Sequence, residues 1–253
     1  MAPRIQRMQV SVPGLRAIRS SSDEPYIGLK EHLTISRVEA GRAEFWTHGR
    51  LWKAERGSVV IQQAGDVYRD ARRDGSITYQ ILSFPADAVD GAVGDIRLPS
   101  CLAGDDARGA AFQRLHDAVA AGADRFTLAC AIAETMVALA EIEDPGRREP
   151  TRPVRRALAM IRERLAETVT LDELAQHAGL DKFHLCRAFR AQIGMPPHAY
   201  LTRLRIMQAK ELLAAGAKPK DIAPRVGLYD QSQLNRHFRR IVGMTPGQFA
   251  RDI

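Results

Sequence analysis

The 253-residue sequence has few cysteines and lacks a hydrophobic run long enough to span a membrane. Cys101, Cys130 and Cys186 are odd in number and widely separated. This pattern argues against a disulfide framework or a zinc site and indicates reduced thiols in a cytoplasm. The first residues include arginines but no apolar segment or cleavage-like motif of a secretory signal. We therefore expect neither secretion nor a membrane partner.

Catalytic and metal-binding patterns are also missing from the sequence. His32 and His48 stand alone, and neither Cys101 nor Cys130 has an adjacent His or Asp. A zinc or transition-metal site needs several nitrogen, sulfur or carboxylate ligands brought together. We predict no catalytic residues, no metal and no cofactor.

The net charge of +7 is unevenly distributed along the chain. Residues 151–253 hold 18 Lys and Arg against 9 Asp and Glu, which gives +9. Residues 1–150 hold 19 against 21, which gives −2. A basic half is expected where a protein must neutralise phosphates, so this half is the candidate for nucleic-acid binding.

The basic half contains an internal repeat. Residues 185–200, LCRAFRAQIGMPPHAY, align with residues 234–249, LNRHFRRIVGMTPGQF, at an offset of 49. Asp181 falls opposite Asp230, and Gly179 matches Gly227 at an offset of 48. Each copy is therefore a helix, a glycine-containing turn and a second helix, which is the helix-turn-helix design. We place the two units at about residues 170–192 and 218–241.

The second helix of each unit has one apolar and one polar face. Asp230 and Gln233 read as a capping box, and Leu234 and Phe238 would face a core. The outward set of this helix is Gln231, Ser232, Asn235, Arg236 and Arg239; that of the upstream copy is Lys182, Phe183, Cys186, Arg187 and Arg190. Gln and Asn can pair with adenine, Arg with guanine, and Phe can contact a thymine methyl. A surface helix with a solvated polar face is the alternative for either helix alone.

Between the two units, residues 197–215 read as one helix. At about 1.5 Å per residue these 19 residues span roughly 28 Å, close to the ~34 Å between major grooves on one face of B-DNA. Two recognition helices at such a separation could enter successive turns of one groove.

The C-terminal region with the repeat resembles the AraC/XylS family of transcription regulators. The motifs that carry the resemblance are Val226-Gly227-Leu228, Asp230-Gln231-Ser232 and Gly243-Met244-Thr245-Pro246, and it covers about residues 154–253. It implies that Phe183, Cys186, Arg187, Gln231, Ser232, Asn235 and Arg236 face the bases of double-stranded DNA. Lys182 and Arg190 are expected to contact phosphates instead, which sets register without reading sequence. RNA polymerase is a further partner that the resemblance implies.

Pro224 departs from the helical pattern of the second unit. It falls inside the first helix of that unit, more than one turn after Pro219, which we expect at the first helical position. An interior proline costs about 3 kcal/mol and kinks a helix. We therefore expect the second unit to be distorted or more dynamic than the first.

The N-terminal part has the pattern of a β-barrel or sandwich. Residues 1–25 are expected to be irregular. Five segments rich in β-branched and aromatic residues follow, and glycines separate them at intervals of about 8 to 10 residues, as in antiparallel barrels. These segments are residues 32–39, 43–47, 58–62, 67–70 and 77–84. The run from Gly57 to Ile61, with Gly65 to Tyr68, resembles a cupin-like sensory barrel, and small barrels commonly enclose one ligand.

A ligand in this barrel would need apolar walls and a few placed polar groups. The candidates are Trp46, His48, Tyr68 and Tyr79, with Arg37 available to pair an anionic effector. For each residue alone, an ordinary core or surface role is the alternative.

Residues 101–143 read as two helices with apolar stripes, one through Phe112, Leu115 and Val119 and one through Leu128 and Leu139. The pair resembles the dimerisation element of the family, and packing against its own barrel is the open alternative. A charged, proline-containing segment at 144–153 is the predicted linker.

The predicted fold is α+β and multidomain, with three parts joined by that linker. These are a cupin-like effector-sensing barrel (1–100), a helical connector that could form a homodimer (101–143) and an all-α domain with two helix-turn-helix units (154–253). The predicted function is an effector-responsive DNA-binding transcription regulator in the cytoplasm. The alternatives are a ligand-independent architectural DNA binder and an enzyme with an appended DNA-binding domain.

Overall fold

The chain divides into a β-rich N-terminal unit and a helical C-terminal unit, with the boundary in sequence at residues 148 and 149. The computed structural model describes residues 4–84, 97–144 and 149–252. This order, antiparallel sheets followed by an all-helical region, confirms the predicted fold class. Residues 145–148 of the predicted linker lie outside the described residues.

Two antiparallel sheets form the N-terminal unit. In the described residues the six-stranded sheet has the order β1-β2-β9-β4-β7-β10 and the four-stranded sheet the order β3-β8-β5-β6. The strands are β1 Arg4–Met8, β2 Arg16–Ser22, β3 Ile27–Leu29, β4 Leu33–Ala40, β5 Arg42–Thr47, β6 Arg50–Glu55, β7 Val59–Gln62, β8 Val67–Arg73, β9 Ile77–Phe84 and β10 Cys101–Leu102.

The five predicted strands are present, but the expectation of an irregular N-terminus is wrong. β1 and β2 pair with each other, and β2 pairs with β9. Their arginine- and serine-rich sequences hide the strand pattern, because much of β1 is exposed at the sheet edge. The glycines expected to separate strands do so: Gly41 and Gly57 have φ values of 82° and 88°. β5 and β6 form a hairpin through His48 and Gly49, whose φ values of 50° and 73° suit a type I′ turn.

Both faces of the six-stranded sheet are covered. Successive side chains of its strands point to opposite faces, and each face carries a set of apolar residues. One set, including Ile35 and Leu82, packs against helices α1 (Ala110–Ala120) and α2 (Arg125–Glu141). The other, including Val38 and Val60, packs against Phe45 and other residues of the four-stranded sheet. The helical pair therefore covers its own sheet, as one of the two alternatives predicted.

The C-terminal unit contains seven α-helices within its described residues, 149–252. They are α3 Arg152–Glu163, α4 Leu171–Ala178, α5 Lys182–Ile193, α6 Pro197–Ala214, α7 Ile222–Arg225, α8 Gln231–Val242 and α9 Pro246–Asp252. Helices α4 and α5 form the first predicted helix-turn-helix, α7 and α8 the second, and α6 connects them. We call α5 and α8 the recognition helices.

Capping side chains define where these helices begin. Thr170 and Glu173 form a reciprocal capping box at α4. Asp230 accepts a hydrogen bond from the Gln233 backbone at 2.6 Å, as predicted for α8. The return bond differs: the Gln233 side chain accepts from the backbone of Tyr229, at 2.8 Å, and not from Asp230. The second box is therefore shifted by one residue.

Pro224 shortens a helix without opening the core around it. The first helix of the second unit begins as a 3₁₀ turn, Pro219–Asp221, and becomes α-helical at Ile222. Pro224 thus lies in the first turn of α7, where backbone N–H groups have no intrahelical partner. Ile222 and Val226 are fully buried. The distortion that the structure shows is this split into a 3₁₀ turn and a short helix.

Candidate nucleic-acid interface and ligand site

The first recognition helix exposes the predicted residues on one side. Leu185 and Phe189 are fully buried and fix the orientation of α5. Asp181 caps the helix by accepting hydrogen bonds from the backbones of Phe183 and His184, and these bonds lower the pKa of its carboxyl. The predicted base and phosphate contacts are exposed, apart from the half-buried Cys186: Lys182, Phe183, Arg187 and Arg190.

The second recognition helix repeats this arrangement. Leu234 and Phe238 are fully buried, as their equivalents in α5 are. The opposite side of α8 exposes all five predicted residues, namely Gln231, Ser232, Asn235, Arg236 and Arg239. The structure therefore brings the predicted set together as two exposed polar faces, one on each recognition helix. Amide and guanidinium groups on such faces can donate to base edges and to phosphates.

Lys182 has a partner that the sequence pattern did not reveal. Its Nζ lies 3.2 Å from Oδ1 of Asp172 in α4, and both side chains are largely exposed. An exposed ion pair of this kind contributes little to stability and is screened by salt. It links the ends of two helices whose proximity could not be read from spacing alone.

Tyr229 is an exposed aromatic residue that the sequence analysis did not select. It precedes the cap of α8, and 92% of its surface is exposed, compared with 72% for Phe183 at the start of α5. Its position immediately before a capping aspartate, within a motif already recognised, was the available signal. A large exposed ring at the end of a recognition helix is a candidate surface for contact with DNA.

In the N-terminal unit, two of the predicted ligand residues meet. The hydroxyl groups of Tyr68 and Tyr79 lie 3.3 Å apart, and Tyr68 donates to Asp70 Oδ1 at 2.8 Å. The ring of Tyr68 stacks on Phe45 with centroids 4.9 Å apart. Burial raises the pKa of Tyr79 to about 12. Both tyrosines therefore stay neutral and can act as hydrogen-bonding groups between the two sheets.

The other three predicted ligand residues lie elsewhere. Arg37 faces the helices, where it pairs with Asp117 and donates to Gln80 at 3.0 Å. Trp46 alternates with the buried Phe45 and so faces away from the other sheet, beneath Arg69. His48 sits in the β5–β6 turn. Of the five candidates, the structure thus brings Tyr68 and Tyr79 together. Strand register, which sets the faces of the others, is not fixed by the sequence.

Donor groups missed by the sequence analysis lie in the same region between the sheets. The ammonium group of Lys30 lies 5.6 Å from the ring centroids of both Tyr26 and Tyr68. Burial lowers the pKa of Lys30 to about 8. Within the described part of the chain, the buried nitrogens Trp52 Nε1 and Gln62 Nε2 have no hydrogen-bond acceptor. Buried donors usually find a partner, so these groups favour a ligand that supplies acceptor oxygens.

Residues 4–84, 97–144 and 149–252 provide neither a metal site nor a membrane-spanning helix. None of these residues form a cluster of His, Cys, Asp and Glu able to hold a metal ion. No described helix combines the length and apolar character needed to cross a bilayer. Cys101, Cys130 and Cys186 are each unpaired.

Two family profiles match the chain. The AraC-like ligand binding domain matches residues 25–135, and the helix-turn-helix domain matches residues 174–252. The activator AarP of Providencia stuartii is 36% identical over 93 residues, which cover 36% of this chain and 69% of AarP. The uncharacterized regulator YbfI of Bacillus subtilis is 41% identical over 86 residues, 34% of this chain but only 31% of YbfI.

Solved structures of ToxT from Vibrio cholerae resemble almost the whole chain. The form bound to (E)-4-(8-methylnaphthalen-1-yl)but-3-enoic acid has a TM-score of 0.52 and 10% identity, over 99% of this chain and 98% of ToxT. A form bound to an unsaturated fatty acid has a TM-score of 0.50 and 12% identity, over 96% and 97% of the two chains. At such identities the likeness concerns the fold alone.

Proposed function

The chain belongs to the AraC family of transcription regulators, and on this premise we propose that it reads a bipartite DNA sequence under the control of a small acidic effector. The observation that carries the proposal is the pair of equivalent, exposed faces on α5 and α8. Its relatives are regulators and not enzymes, so the enzyme alternative is dropped. A regulator of this kind acts on promoter DNA in the bacterial cytoplasm, with RNA polymerase as its further partner.

We assign different roles to the residues of the two faces. Phe183, Cys186 and Arg187 of α5 contact bases, as do Gln231, Ser232, Asn235 and Arg236 of α8. Lys182, Arg190 and Arg239 neutralise phosphates, which supports affinity on every sequence. All of these side chains are exposed except the half-buried Cys186, so both assignments are compatible with the exposed faces of α5 and α8.

The effector site is proposed between the sheets, around Lys30, Gln62 and Tyr68. The ammonium group of the half-buried Lys30 and the buried, unpartnered N–H donors of Trp52 and Gln62 suit a ligand that carries a carboxylate. The acids bound by ToxT support this class of ligand for a barrel of the same fold. The register adds a polar row across the sheet, in which Thr34 pairs with both Gln62 and Ser83. Effector binding would change DNA affinity by favouring one of two states of the protein.

A homodimer is proposed through the outer face of α2. Phe126, Cys130, Ala133, Val137 and Ala140 are exposed on that helix, and 78% of Phe126 is accessible. Their spacing of four and three residues is the repeat of a coiled-coil seam. The inner face of α2 is already used on its own sheet, so the outer face is the one available to a second copy.

The proposed DNA function is tested by selecting bound sequences from random duplex DNA with the full chain. We expect one motif with two halves about 10 base pairs apart, the spacing of adjacent major grooves. Binding of the random DNA without enrichment of any sequence would support the architectural alternative and contradict the proposal. Repeating the selection with a panel of monocarboxylates then tests effector control, since an added acid must change the yield of bound DNA.

A further inference from the structure

One arginine of the connecting helix binds the segment that leads into the first helix-turn-helix unit. Arg205 of α6 donates from Nε to the carbonyl of Leu165 at 2.9 Å and from its terminal NH2 to the carbonyl of Glu167 at 2.6 Å. These carbonyls belong to the segment between α3 and α4. Burial lowers the pKa of Arg205, but a guanidinium group stays charged at neutral pH. The planar donor fork matches two neighbouring carbonyls, which a lysine ammonium cannot do equally well.

The second unit meets the same segment through a glycine. A Cβ atom at Gly227 would lie 2.7 Å from the carbonyl oxygen of Ala166 and 2.9 Å from an Arg205 nitrogen. Real Cβ atoms do not approach backbone this closely, so either the segment or the second unit would have to move. Gly227 is therefore required by a close approach between the two units, in addition to its own turn.

Gly179 provides an internal comparison for this contact. It holds the equivalent turn of the first unit, and both glycines have a φ of 73°. In both turns the next residue donates to the carbonyl four residues before the glycine: Leu180 to Ala175 and Leu228 to Ala223, the pattern of a Schellman motif. A Cβ at Gly179, however, would meet only an Arg156 nitrogen at 3.9 Å. The two positions share their backbone strain and differ in the contact.

We propose that Arg205 and Gly227 lock the two helix-turn-helix units at one separation, and that this lock selects the spacing between the two halves of the DNA site. The segment 165–167 is held between the connecting helix and the second unit, so the units cannot slide or rotate independently. Both residues act as positioning residues and need not contact DNA. The proposal rests on the proposed function, because it requires both recognition helices to bind one duplex.

The geometry of DNA makes such a lock selective. One inserted base pair moves the second half-site by about 3.4 Å and turns it by roughly 35° about the helix axis. A rigid pair of recognition helices can then satisfy one half-site only. A hinged pair could follow the second half-site and would tolerate several spacings.

The test measures affinity for four duplexes built from the selected bipartite motif. They carry the selected spacing, one base pair fewer, one base pair more, and a single half-site. Full-length wild type, Gly227→Ala, Gly179→Ala, Arg205→Ala and Arg205→Lys are compared at one salt concentration. Wild type is expected to prefer the selected spacing by about tenfold or more, the discrimination that one good base contact supplies.

Gly227→Ala and both Arg205 variants are expected to lose most of this preference while keeping their affinity for the single half-site. Gly179→Ala should keep the preference, because it adds the same strain without the clash. Equal effects of Gly227→Ala and Gly179→Ala, or wild-type binding that ignores spacing, would overturn the lock. Wild type that binds no DNA would instead defeat the proposed function. If Gly227→Ala does not fold, as judged by circular dichroism, the Arg205 variants carry the test.

Discussion

Phe189 and Phe238 occupy equivalent positions in the two helix-turn-helix units, and each is fully buried against an aromatic ring that meets it edge-on. Phe189 meets Tyr200 with centroids 5.8 Å apart at 71°, and Phe238 meets Phe249 at 5.5 Å and 67°. In both units the partner ring lies on the helix that follows the recognition helix. This pair of contacts fixes each recognition helix against its neighbour, so that its polar side stays outward.

Truncating either phenylalanine should destabilise the helical unit. Phe189→Ala and Phe238→Ala are each expected to lower the free energy of unfolding by about 3 to 5 kcal/mol, the usual cost of an emptied aromatic core site. Urea titration followed by circular dichroism measures the change. Tyr229→Ala serves as the control, because its ring is exposed and its removal should leave stability nearly unchanged. Equal stability of Phe238→Ala and wild type would contradict the packing described.

Lys182 and Asp172 allow a charge-based prediction for DNA binding. Lys182→Ala should weaken binding to all sequences and lower the salt slope by about one, as expected for a lost phosphate contact. Asp172→Asn should instead strengthen binding to all sequences, since it removes a negative charge 3.2 Å from the ammonium group of Lys182. Filter binding across a range of salt concentrations measures both slopes. A loss restricted to one DNA sequence would assign Lys182 to base reading instead.

Lys30 links effector binding to pH. A carboxylate ligand should bind with constant affinity between about pH 6, where the carboxylic acid is already ionised, and about pH 8, and more weakly above pH 8, because Lys30 loses its proton there. Titration calorimetry compares monocarboxylates, from benzoate to oleate, with the corresponding alcohols. The difference in affinity measures the preference for the acid. Lys30→Met should abolish that preference, whereas Lys53→Met, an exposed site, should not. An acid preference that survives in Lys30→Met would exclude Lys30 as the anchor.

The same lysine predicts a pH dependence of stability. Its pKa of about 8 in the folded chain lies below the ordinary value of 10.5, so the unfolded chain binds more protons between these values. The free energy of unfolding contributed by Lys30 should therefore rise as pH increases from about 8 to about 10. Lys30→Met should remove this part of the rise, and unfolding curves at several pH values measure it. A profile identical to that of wild type would contradict burial of the ammonium group.

The outer face of α2 predicts where two copies would meet. In an antiparallel pair the central residue of the stripe, Ala133, faces itself, whereas Ala140 faces Phe126. Ala133→Cys in a Cys130→Ala background should therefore form a cross-linked dimer on oxidation, and Ala140→Cys should not. A parallel pair would cross-link at both positions. Monomeric sedimentation at micromolar concentration, with no cross-link at either position, would contradict the proposed dimer.

The recognition helices could be predicted from the sequence because their signals are local. The repeat, the capping aspartates Asp181 and Asp230, and the apolar spacing through Phe189 and Phe238 lie within single helices. The structure follows these signals closely, and the exposed faces contain the residues that the pattern selected. Local periodicity is sufficient when one helix carries the whole site.

The ligand site could not be predicted in the same way, because it depends on long-range register. Trp46 and Phe45 are neighbours in sequence but face opposite sides of the sheet. Lys30 follows a three-residue strand that leaves almost no pattern, and its approach to Tyr68 depends on the pairing of β3 with β8. Pro224 illustrates a related limit: its effect depends on whether the helix begins as α or 3₁₀, and the structure begins it as a 3₁₀ turn at Pro219–Asp221.

The measurement that tests the account most directly is DNA selection repeated with Arg187→Ala and with Arg236→Ala in the full chain. Each variant is expected to lose about 1 to 3 kcal/mol on the wild-type motif and to relax one base position, Arg187→Ala in one half and Arg236→Ala in the other. That result would establish that the two recognition helices read separate halves of one site. Equal losses on the selected motif and on random DNA, with the motif unchanged, would show that both arginines contact only phosphates and would contradict the tandem reading of bases.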